Sequence, residues 1–203
     1  MAQKNSAKKL KNHPYFEYEI WGDELYYTYA YLARYHATIV NPNIPFVDRQ
    51  KIKSATFRDL RMGVRNIHDL FDEHKEKQQL GADFCWYCNR PTSICGKLEA
   101  EHILPKSKGG YERVEGNIAY ACHDCNTQKG TKDFILWYTD TFGKLPSLML
   151  IRIYLKNVYQ YSLENTLMVM LSEDVEKIST LPFVPQSMGL IRKYIKDNRI
   201  VVI

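Results

Sequence analysis

The sequence predicts an α+β protein that is mostly helical, with a small zinc-stapled core between an N-terminal and a C-terminal helical region. Two observations lead to this fold class. Apolar residues recur three and four positions apart over much of both flanks, a spacing typical of helices with one buried face. Between the flanks, two Cys-x-x-Cys pairs enclose two short strand-like runs.

Length and composition limit the kind of protein this is. The chain has 203 residues, of which 45% are hydrophobic and 25% charged, so it can bury a core and is neither disordered nor fibrous. No apolar run reaches the roughly 20 residues that span a bilayer, and the start of the chain is polar and basic. We therefore expect a cytoplasmic protein with no membrane partner, whose cysteines are metal ligands or reactive thiols before disulfides.

Four consecutive regions are expected from these patterns. They are a basic flexible tail over residues 1–12, a helical region over 13–82, a zinc-stapled core over 83–142 and a second helical region over 143–203. Within the flanks, periodicity predicts helices and one closing strand. The helices cover residues 15–40, 56–79, 148–158, 167–181 and 188–196, and the strand covers 199–203.

Cysteine spacing is the strongest signal in the chain. Cys85 and Cys88 form one Cys-x-x-Cys pair, and Cys122 and Cys125 form the other. Two such pairs can present four thiolates to one structural zinc ion. The alternatives are a redox motif or two unrelated buried pairs, but a redox motif needs one pair and leaves the other unexplained. Apparent zinc affinity in such segments is about 10 to 16 kcal/mol, so we expect folding of the core to depend on the metal.

Polar residues suited to phosphodiester hydrolysis lie between and just beyond the cysteine pairs. His102 can act as a base, since a neutral imidazole is available near pH 7. Glu101 offers a carboxylate oxygen and Asn126 an amide oxygen, which suit magnesium or manganese better than zinc. Asn117, at the start of the second strand-like run, is expected to hold the histidine in place. Taken singly, His102 is a structural histidine, Glu101 a solvated charge and Asn126 a helix cap.

The motifs "CWYC", "LEAEHILPKSKGG", "EGNIAYACHDCN" and "TQKG" follow each other in this order from residue 85 to about residue 133. In this combination the chain resembles the HNH endonuclease superfamily, and more narrowly its four-cysteine, McrA-like branch. The resemblance implies a ββα-metal core, encoded in a prokaryote or a phage. Strands are expected at residues 98–102 and 117–121, and one helix from about Asp124 to Tyr138.

The resemblance also implies a role for each site residue. His102 becomes the general base, Glu101 and Asn126 hold one catalytic magnesium or manganese ion, and Asn117 fixes the loop that orients the base. The family more often has aspartate where this chain has Glu101. Glu99, two residues earlier and on the same strand face, can share the metal-binding task.

DNA is the expected partner, and its contacts have to come from local patches because the net charge is only +5. The alternative is that each patch is an ordinary solvated helix face. The expected nucleic-acid-binding residues are Lys106, Lys108, Lys129, Arg58, Arg61 and Arg65.

The function expected from these observations is metal-dependent hydrolysis of DNA, leaving 5′-phosphate and 3′-hydroxyl ends. Three other functions stay open: a zinc-dependent nucleic-acid-binding module that does not cut, an RNA-directed nuclease with the same site, and a protein-interaction scaffold. One active site cuts both strands only by acting twice or in a homodimer.

Overall fold

The computed structural model describes residues 7–70, 83–110 and 115–197 and confirms a mostly helical α+β fold with a small sheet. The chain divides into two compact units. The first, here called the helical unit, comprises Met1–Leu70, Tyr159–Ser179 and Pro185–Ile200. The second, here called the hairpin unit, comprises Phe71–Val158, Thr180–Val184 and Val201–Ile203.

The secondary structure of the described residues consists of short and long helices around one two-stranded sheet. The α-helices are α1 Trp21–Val40, α2 Phe46–Arg61, α3 Thr92–Cys95, α4 His123–Lys129, α5 Phe134–Phe142, α6 Leu148–Glu164, α7 Ser172–Glu176 and α8 Ser187–Lys196. The strands are β1 Leu98–His102 and β2 Ile118–Cys122. Single 3-10 turns cover Ile67–Asp69, Lys106–Lys108, Glu115–Asn117 and Leu167–Val169.

Helix α1 is the centre of the helical unit. Trp21, Leu25, Tyr29 and Leu32 recur three and four residues apart and are almost completely buried, so they form one apolar stripe. The helix packs against α2 and α8. The indole of Trp21 donates a hydrogen bond to the Ser162 hydroxyl at 3.0 Å, so this large side chain is satisfied as well as buried.

A buried ion pair joins α1 to α8. The Glu24 carboxylate contacts the Arg192 guanidinium, and both side chains are almost fully buried. Glu24 also accepts hydrogen bonds from the backbone N–H groups of Glu17 and Tyr18, at 2.8 and 3.0 Å. Arg192 donates further bonds to Thr28 and to the carbonyl of Tyr15. Both charges are therefore well paired, as burial requires.

Some of the helices predicted for the flanks are wrong. The helix predicted from residue 56 instead begins at Phe46 and ends at Arg61. Gly63 follows in a left-handed conformation, φ 68°, which ends helices readily because glycine has no Cβ. Val64, expected on the buried face, is 72% exposed.

The other four helices predicted for the flanks are confirmed in part. The first helix begins at Trp21 and not at residue 15. The single helix predicted over 167–181 is wrong, because that stretch contains a 3-10 turn and α7. The helices predicted near 148–158 and 188–196 are confirmed as α6 and α8. Residues 71–79 and the predicted closing strand lie outside the described residues.

The hairpin unit is built on the antiparallel pair β1 and β2. Its register places Glu99 opposite Ala121 and Glu101 opposite Ala119. Residues opposite each other share a face, and α4 packs on both strands. The two buried alanines therefore leave room on the helix-facing side for the two glutamates. The predicted first strand is confirmed, and the second begins one residue later than predicted.

The single helix predicted from residue 124 to 138 is wrong, because it is divided into α4 and α5. Helix α4 ends at Lys129, and Gly130 follows with φ 49°. Asp133 then caps the next helix, since its carboxylate accepts the Leu136 N–H at 3.0 Å. The same carboxylate accepts the Tyr154 hydroxyl at 2.6 Å and fastens α5 to α6.

Candidate active site and metal centre

The four cysteines of the two Cys-x-x-Cys pairs converge on one point. Their sulfur atoms lie within 4.8 Å of one another, so the predicted cluster of Cys85, Cys88, Cys122 and Cys125 is confirmed. The sulfurs of Cys88 and Cys122 are 3.9 Å apart. Two thiolates of a tetrahedral zinc site are separated by roughly 3.8 Å, given Zn–S bonds of about 2.3 Å. The donor set and its spacing therefore fit a structural zinc ion.

Hydrogen bonds favour the thiolate form of Cys85, whereas burial raises the pKa of Cys122, and the hydrogen bond to Cys85 together with burial raises that of Cys125. Cys85 accepts a bond from the Cys125 thiol and from the backbone N–H groups of Tyr87, Cys88 and Cys122, and its pKa is lowered to about 4. The backbone N–H of Cys122 lies 3.3 Å from the Cys85 sulfur. Such donors also fix the direction of the sulfur lone pairs, which prepares the site for a metal.

Arg90 contacts the cluster, although the cysteine spacing does not point to it. Its Nε donates to the Cys88 sulfur at 3.3 Å, and a terminal nitrogen lies 3.7 Å from the Cys122 sulfur. The same nitrogen pairs with Asp124 at 3.2 Å. A guanidinium here offsets the negative charge of four thiolates around one divalent ion.

Glu101 lies on the helix-facing side of β1 and is 6% exposed. One carboxylate oxygen accepts the Tyr87 hydroxyl, and the other accepts the Lys129 ammonium at 2.6 Å. Burial raises the pKa of Glu101 and lowers that of Lys129, and the contact between the two opposes both shifts. Both oxygens of Glu101 are therefore occupied by protein donors. Tyr87, between the first two cysteines, is a site residue that the motif spacing does not reveal.

Lys129 was expected to meet a phosphate, but its side chain is completely buried. In addition to Glu101, the ammonium donates to the backbone carbonyl of His102 at 2.8 Å. A lysine in this position cannot reach an external phosphate. It connects the end of α4 to the last residue of β1, directly at the expected base.

Glu99 is the carboxylate that the structure brings to Asn126. The amide nitrogen of Asn126 lies 2.5 Å from one Glu99 oxygen, and His123 contacts the other at 2.9 Å. The Asn126 bond and the His123 contact lower the pKa of Glu99, so the exposed carboxylate is held ionised. In this arrangement the first partner of Asn126 is Glu99 and not Glu101.

His102 closes β1, pairs with Ile118 and is half-buried. Asn117 is fully buried and fastens the backbone that follows the histidine. The Asn117 backbone carbonyl accepts the Ile103 N–H at 2.9 Å, and its side chain bonds both the N–H and the carbonyl of Leu104, at 2.8 and 3.0 Å. Three hydrogen bonds from one residue therefore fix the two residues after His102.

A glycine turn continues this fastened loop. The N–H of Gly110 returns to the Pro105 carbonyl at 3.0 Å, and a Cβ at this position would overlap the carbonyl oxygen of Leu104. Only glycine fits such an approach. The turn carries Lys106 and Lys108, whose side chains are exposed, near the chain that leaves His102.

The arginines expected to form a second basic patch lie in the helical unit. Arg58 and Arg65 both contact Asp59, at 3.0 and 3.6 Å. Arg61 pairs with Asp23 at 2.8 Å and so joins α2 to α1. Each of these charges already has an acidic partner, which lowers the positive surplus available to a phosphate backbone.

Residues 85–132 match the family model of the HNH endonucleases. This segment is an HNH endonuclease domain. It contains both cysteine pairs, the hairpin and α4, which is about a quarter of the chain. The cysteine cluster agrees with the four-cysteine type of HNH domain. No curated protein and no solved structure matches the chain.

The HNH domain indicates a nuclease of the HNH type, with nucleic acid as its substrate class. The domain contains four cysteines placed to bind one metal ion, the half-buried His102, and Glu99 and Glu101 on the side of the sheet that faces α4. Among the residues that the structure describes, no helix has both the length and the apolar character required to cross a membrane.

Proposed function

We propose that the chain is a metal-dependent endonuclease that hydrolyses DNA phosphodiester bonds, with His102 as the general base. The observation that carries this proposal is the fastening of His102 inside an HNH domain. The Lys129 ammonium donates a hydrogen bond to the His102 carbonyl, and Asn117 bonds the backbone of Ile103 and Leu104. A base that must meet a water and a phosphorus atom at once gains from such a fixed backbone.

In the proposed reaction, His102 takes a proton from the attacking water. The water oxygen forms a bond to phosphorus, and the bond to the 3′ oxygen breaks. The leaving 3′ oxygen takes up a proton from solvent, so the products carry a 5′-phosphate and a 3′-hydroxyl. A bound magnesium or manganese ion supplies electrostatic stabilisation of the charge that develops on the phosphate and the leaving oxygen. Lys106 and Lys108, exposed on the adjoining turn, are suited to contact the phosphate backbone on either side.

Two carboxylates compete for the role of metal ligand beside Asn126. The family resemblance indicates Glu101, whereas the contact of Asn126 with the exposed Glu99 supports Glu99. Both oxygens of each carboxylate have a protein partner, but Glu101 is buried in an ion pair with Lys129, whereas Glu99 is exposed and its partners are an amide and a histidine. We propose that Glu99 and Asn126 bind the metal, and that Glu101 holds the Lys129 ammonium against the His102 carbonyl.

The test is nicking of supercoiled plasmid in the presence of manganese. His102→Ala is expected to lower the nicking rate by about 10²-fold or more, the usual contribution of a general base, while zinc content and DNA binding stay unchanged. Matched DNA and RNA duplexes decide the substrate. Cleavage by His102→Ala at the normal rate would remove the proposed base, and binding without cleavage by the unaltered protein would favour a non-cleaving module.

Manganese binding in the absence of DNA separates the two carboxylates. Glu99→Gln is expected to weaken manganese binding by about tenfold or more, as loss of a metal ligand does, whereas Glu101→Gln should change it little. Zinc content, measured on the same samples, controls for an intact cysteine cluster. The opposite order of effects would restore Glu101 as the ligand.

A further inference from the structure

Two tyrosines of α1 lie under an unusual number of positive charges in the helical unit. Three cations surround the Tyr31 ring: the Lys53 ammonium is 4.7 Å from the ring centroid, the Arg34 guanidinium 5.2 Å and the Lys196 ammonium 5.6 Å. Tyr31 itself is only 6% exposed. The ring is therefore the buried floor of a surface made of cationic heads.

The neighbouring Tyr27 ring repeats this arrangement. Its centroid is 5.2 Å from that of Tyr31. Lys53 lies 5.1 Å from the Tyr27 centroid, and Lys9 lies 5.7 Å from it. We call the set of Lys9, Arg34, Lys53 and Lys196 over these two rings the tyrosine–cation cluster.

Acidic residues do not balance the cluster. Glu24 is already neutralised by Arg192 and by two backbone N–H groups. Glu17 is 3.8 Å from Lys196 and can offset one charge. Four cations against one available carboxylate leave a positive surplus. Burial lowers the pKa of Lys53, and repulsion from Arg34 and Lys9 lowers it further.

A cavity of about 420 Å³ adjoins the cluster, and its lining includes Lys196 of the cluster, Lys193 and the acidic residues Glu17 and Asp197. Arg192 also lines the cavity, but its charge is paired with Glu24. The positive surface therefore extends from α2 across α1 to Lys196 at the end of α8. Such a basic stripe, backed by aromatic rings, has the charge and the extent to follow a sugar-phosphate backbone.

We propose that the tyrosine–cation cluster is a second nucleic-acid-binding surface, which holds the phosphate backbone of the DNA in the helical unit. This inference rests on the proposed function only for the identity of the polyanion. It differs from the arginine patch expected from the sequence, where Arg61 pairs with Asp23 and Arg58 and Arg65 share Asp59. Lys53 instead has the cations Arg34 and Lys9 as neighbours, and Glu17 offsets part of their charge.

Helix α2 offers a matched control for this surface. Lys51 lies two residues before Lys53, so it points about 200° away around the helix. It is 72% exposed and pairs with Asp48 at 2.9 Å. Lys51→Gln and Lys53→Gln change the net charge equally and differ only in whether the cluster loses a cation.

The experiment is binding of a short fluorescent DNA duplex in EDTA, so that no cleavage occurs, over a series of salt concentrations. Lys53→Gln and Lys196→Gln are each expected to weaken binding about threefold to tenfold and to reduce the slope of log K against log salt by about 0.9. Lys51→Gln should leave both quantities unchanged, and Lys53→Arg should bind as the unaltered protein does.

Equal effects of Lys51→Gln and Lys53→Gln would overturn the proposal, because binding would then follow net charge alone. Normal binding by Lys196→Gln would overturn it too, and this half-exposed residue gives a test that does not depend on the folding of a Lys53 variant. Cleavage is measured separately, on the unaltered protein and on His102→Ala. Loss of binding in the cluster variants, together with no plasmid nicking by the unaltered protein, would support this surface and reject the nuclease proposal.

Discussion

Among the described residues, the helical unit and the hairpin unit each contain a buried ion pair, and the two pairs have different roles. In the helical unit, Glu24 and Arg192 join two long helices around the apolar stripe of α1. In the hairpin unit, Glu101 and Lys129 join a five-residue strand to a seven-residue helix, and the lysine also holds the carbonyl of His102. The same interaction is a structural fastening in one unit and a support of the candidate base in the other.

The two units also differ in how they tolerate buried polar residues. The helix-facing side of the sheet carries two glutamates and two alanines, which bury little apolar surface between β1, β2 and α4. Stability must therefore come from the surroundings of the hairpin: the cysteine cluster lies at the junction of β2 and α4, and the Tyr87 ring packs against Phe134 and Trp137 of α5. The helical unit has its tryptophan, leucine and tyrosine stripe, so we expect it to fold without the metal.

Zinc removal should give the largest effect, because it should unfold the hairpin unit and leave the helical unit folded. Because apparent zinc binding contributes about 10 to 16 kcal/mol, and small domains are stable by about 5 to 15 kcal/mol, chelation is expected to unfold the hairpin unit. Hydrogen exchange followed by mass spectrometry would show loss of amide protection in β1, β2 and α4 and retained protection in α1.

Cys122→Ser should reproduce the effect of the chelator without any chelator present. Cys95→Ser is the matched control, since Cys95 is a free cysteine outside the cluster. Retained protection of β2 in the Cys122 variant would contradict the dependence on zinc. Equal loss of protection in α1 would contradict the independence of the helical unit.

Breaking the two ion pairs should give similar losses of stability but different losses of activity. Lys129→Met and Arg192→Met each leave a buried carboxylate without its counter-charge, which typically costs about 3 to 5 kcal/mol. Urea unfolding would measure this cost. Plasmid nicking, measured well below the unfolding transition, should fall in Lys129→Met and stay normal in Arg192→Met.

The Arg192 variant also has a defined pH dependence. Burial raises the pKa of Glu24, and Arg192 opposes this shift. Without the arginine the folded-state pKa rises further above the unfolded value. The folded variant then binds the proton more tightly, so its loss of stability relative to the unaltered protein should be smallest at low pH and grow as the pH rises from the folded-state pKa of the unaltered protein towards that of the variant. A loss that shrank with rising pH would contradict this assignment.

The hairpin was predicted well. The family resemblance gave the limits of β1 to the residue, and the cysteine spacing identified the cluster. The helix limits failed where a glycine or a cap interrupts an apolar period. Gly63 ends α2, and Gly130 with Asp133 separates α4 from α5. These signals are present in the sequence, but apolar spacing alone does not weigh them.

Side-chain partners between distant residues were beyond sequence patterns. The partner of Asn126 is Glu99, 27 positions away, and the partner of Arg61 is Asp23, 38 positions away. The burial of Lys129 follows from the packing of α4 on the sheet. The sequence alone predicts an exposed side chain, because lysine is exposed in most proteins. Such contacts depend on the packing of elements and not on the spacing of residues.

Alanine substitutions at two glycines should give the smallest effects, and the effects on nicking should still differ between the two units. At Gly63 a Cβ meets no atom within 4 Å, so Gly63→Ala carries only the cost of a left-handed alanine, about 1 to 2 kcal/mol. At Gly110 a Cβ overlaps the Leu104 carbonyl, whose partner is the Asn117 side chain. Gly110→Ala must therefore displace the loop after His102. We expect a stability loss of about 1 to 3 kcal/mol, as overpacking gives, together with slower nicking. Gly63→Ala should leave nicking unchanged, and equal activity of both variants would show that the exact path of this loop does not govern the base.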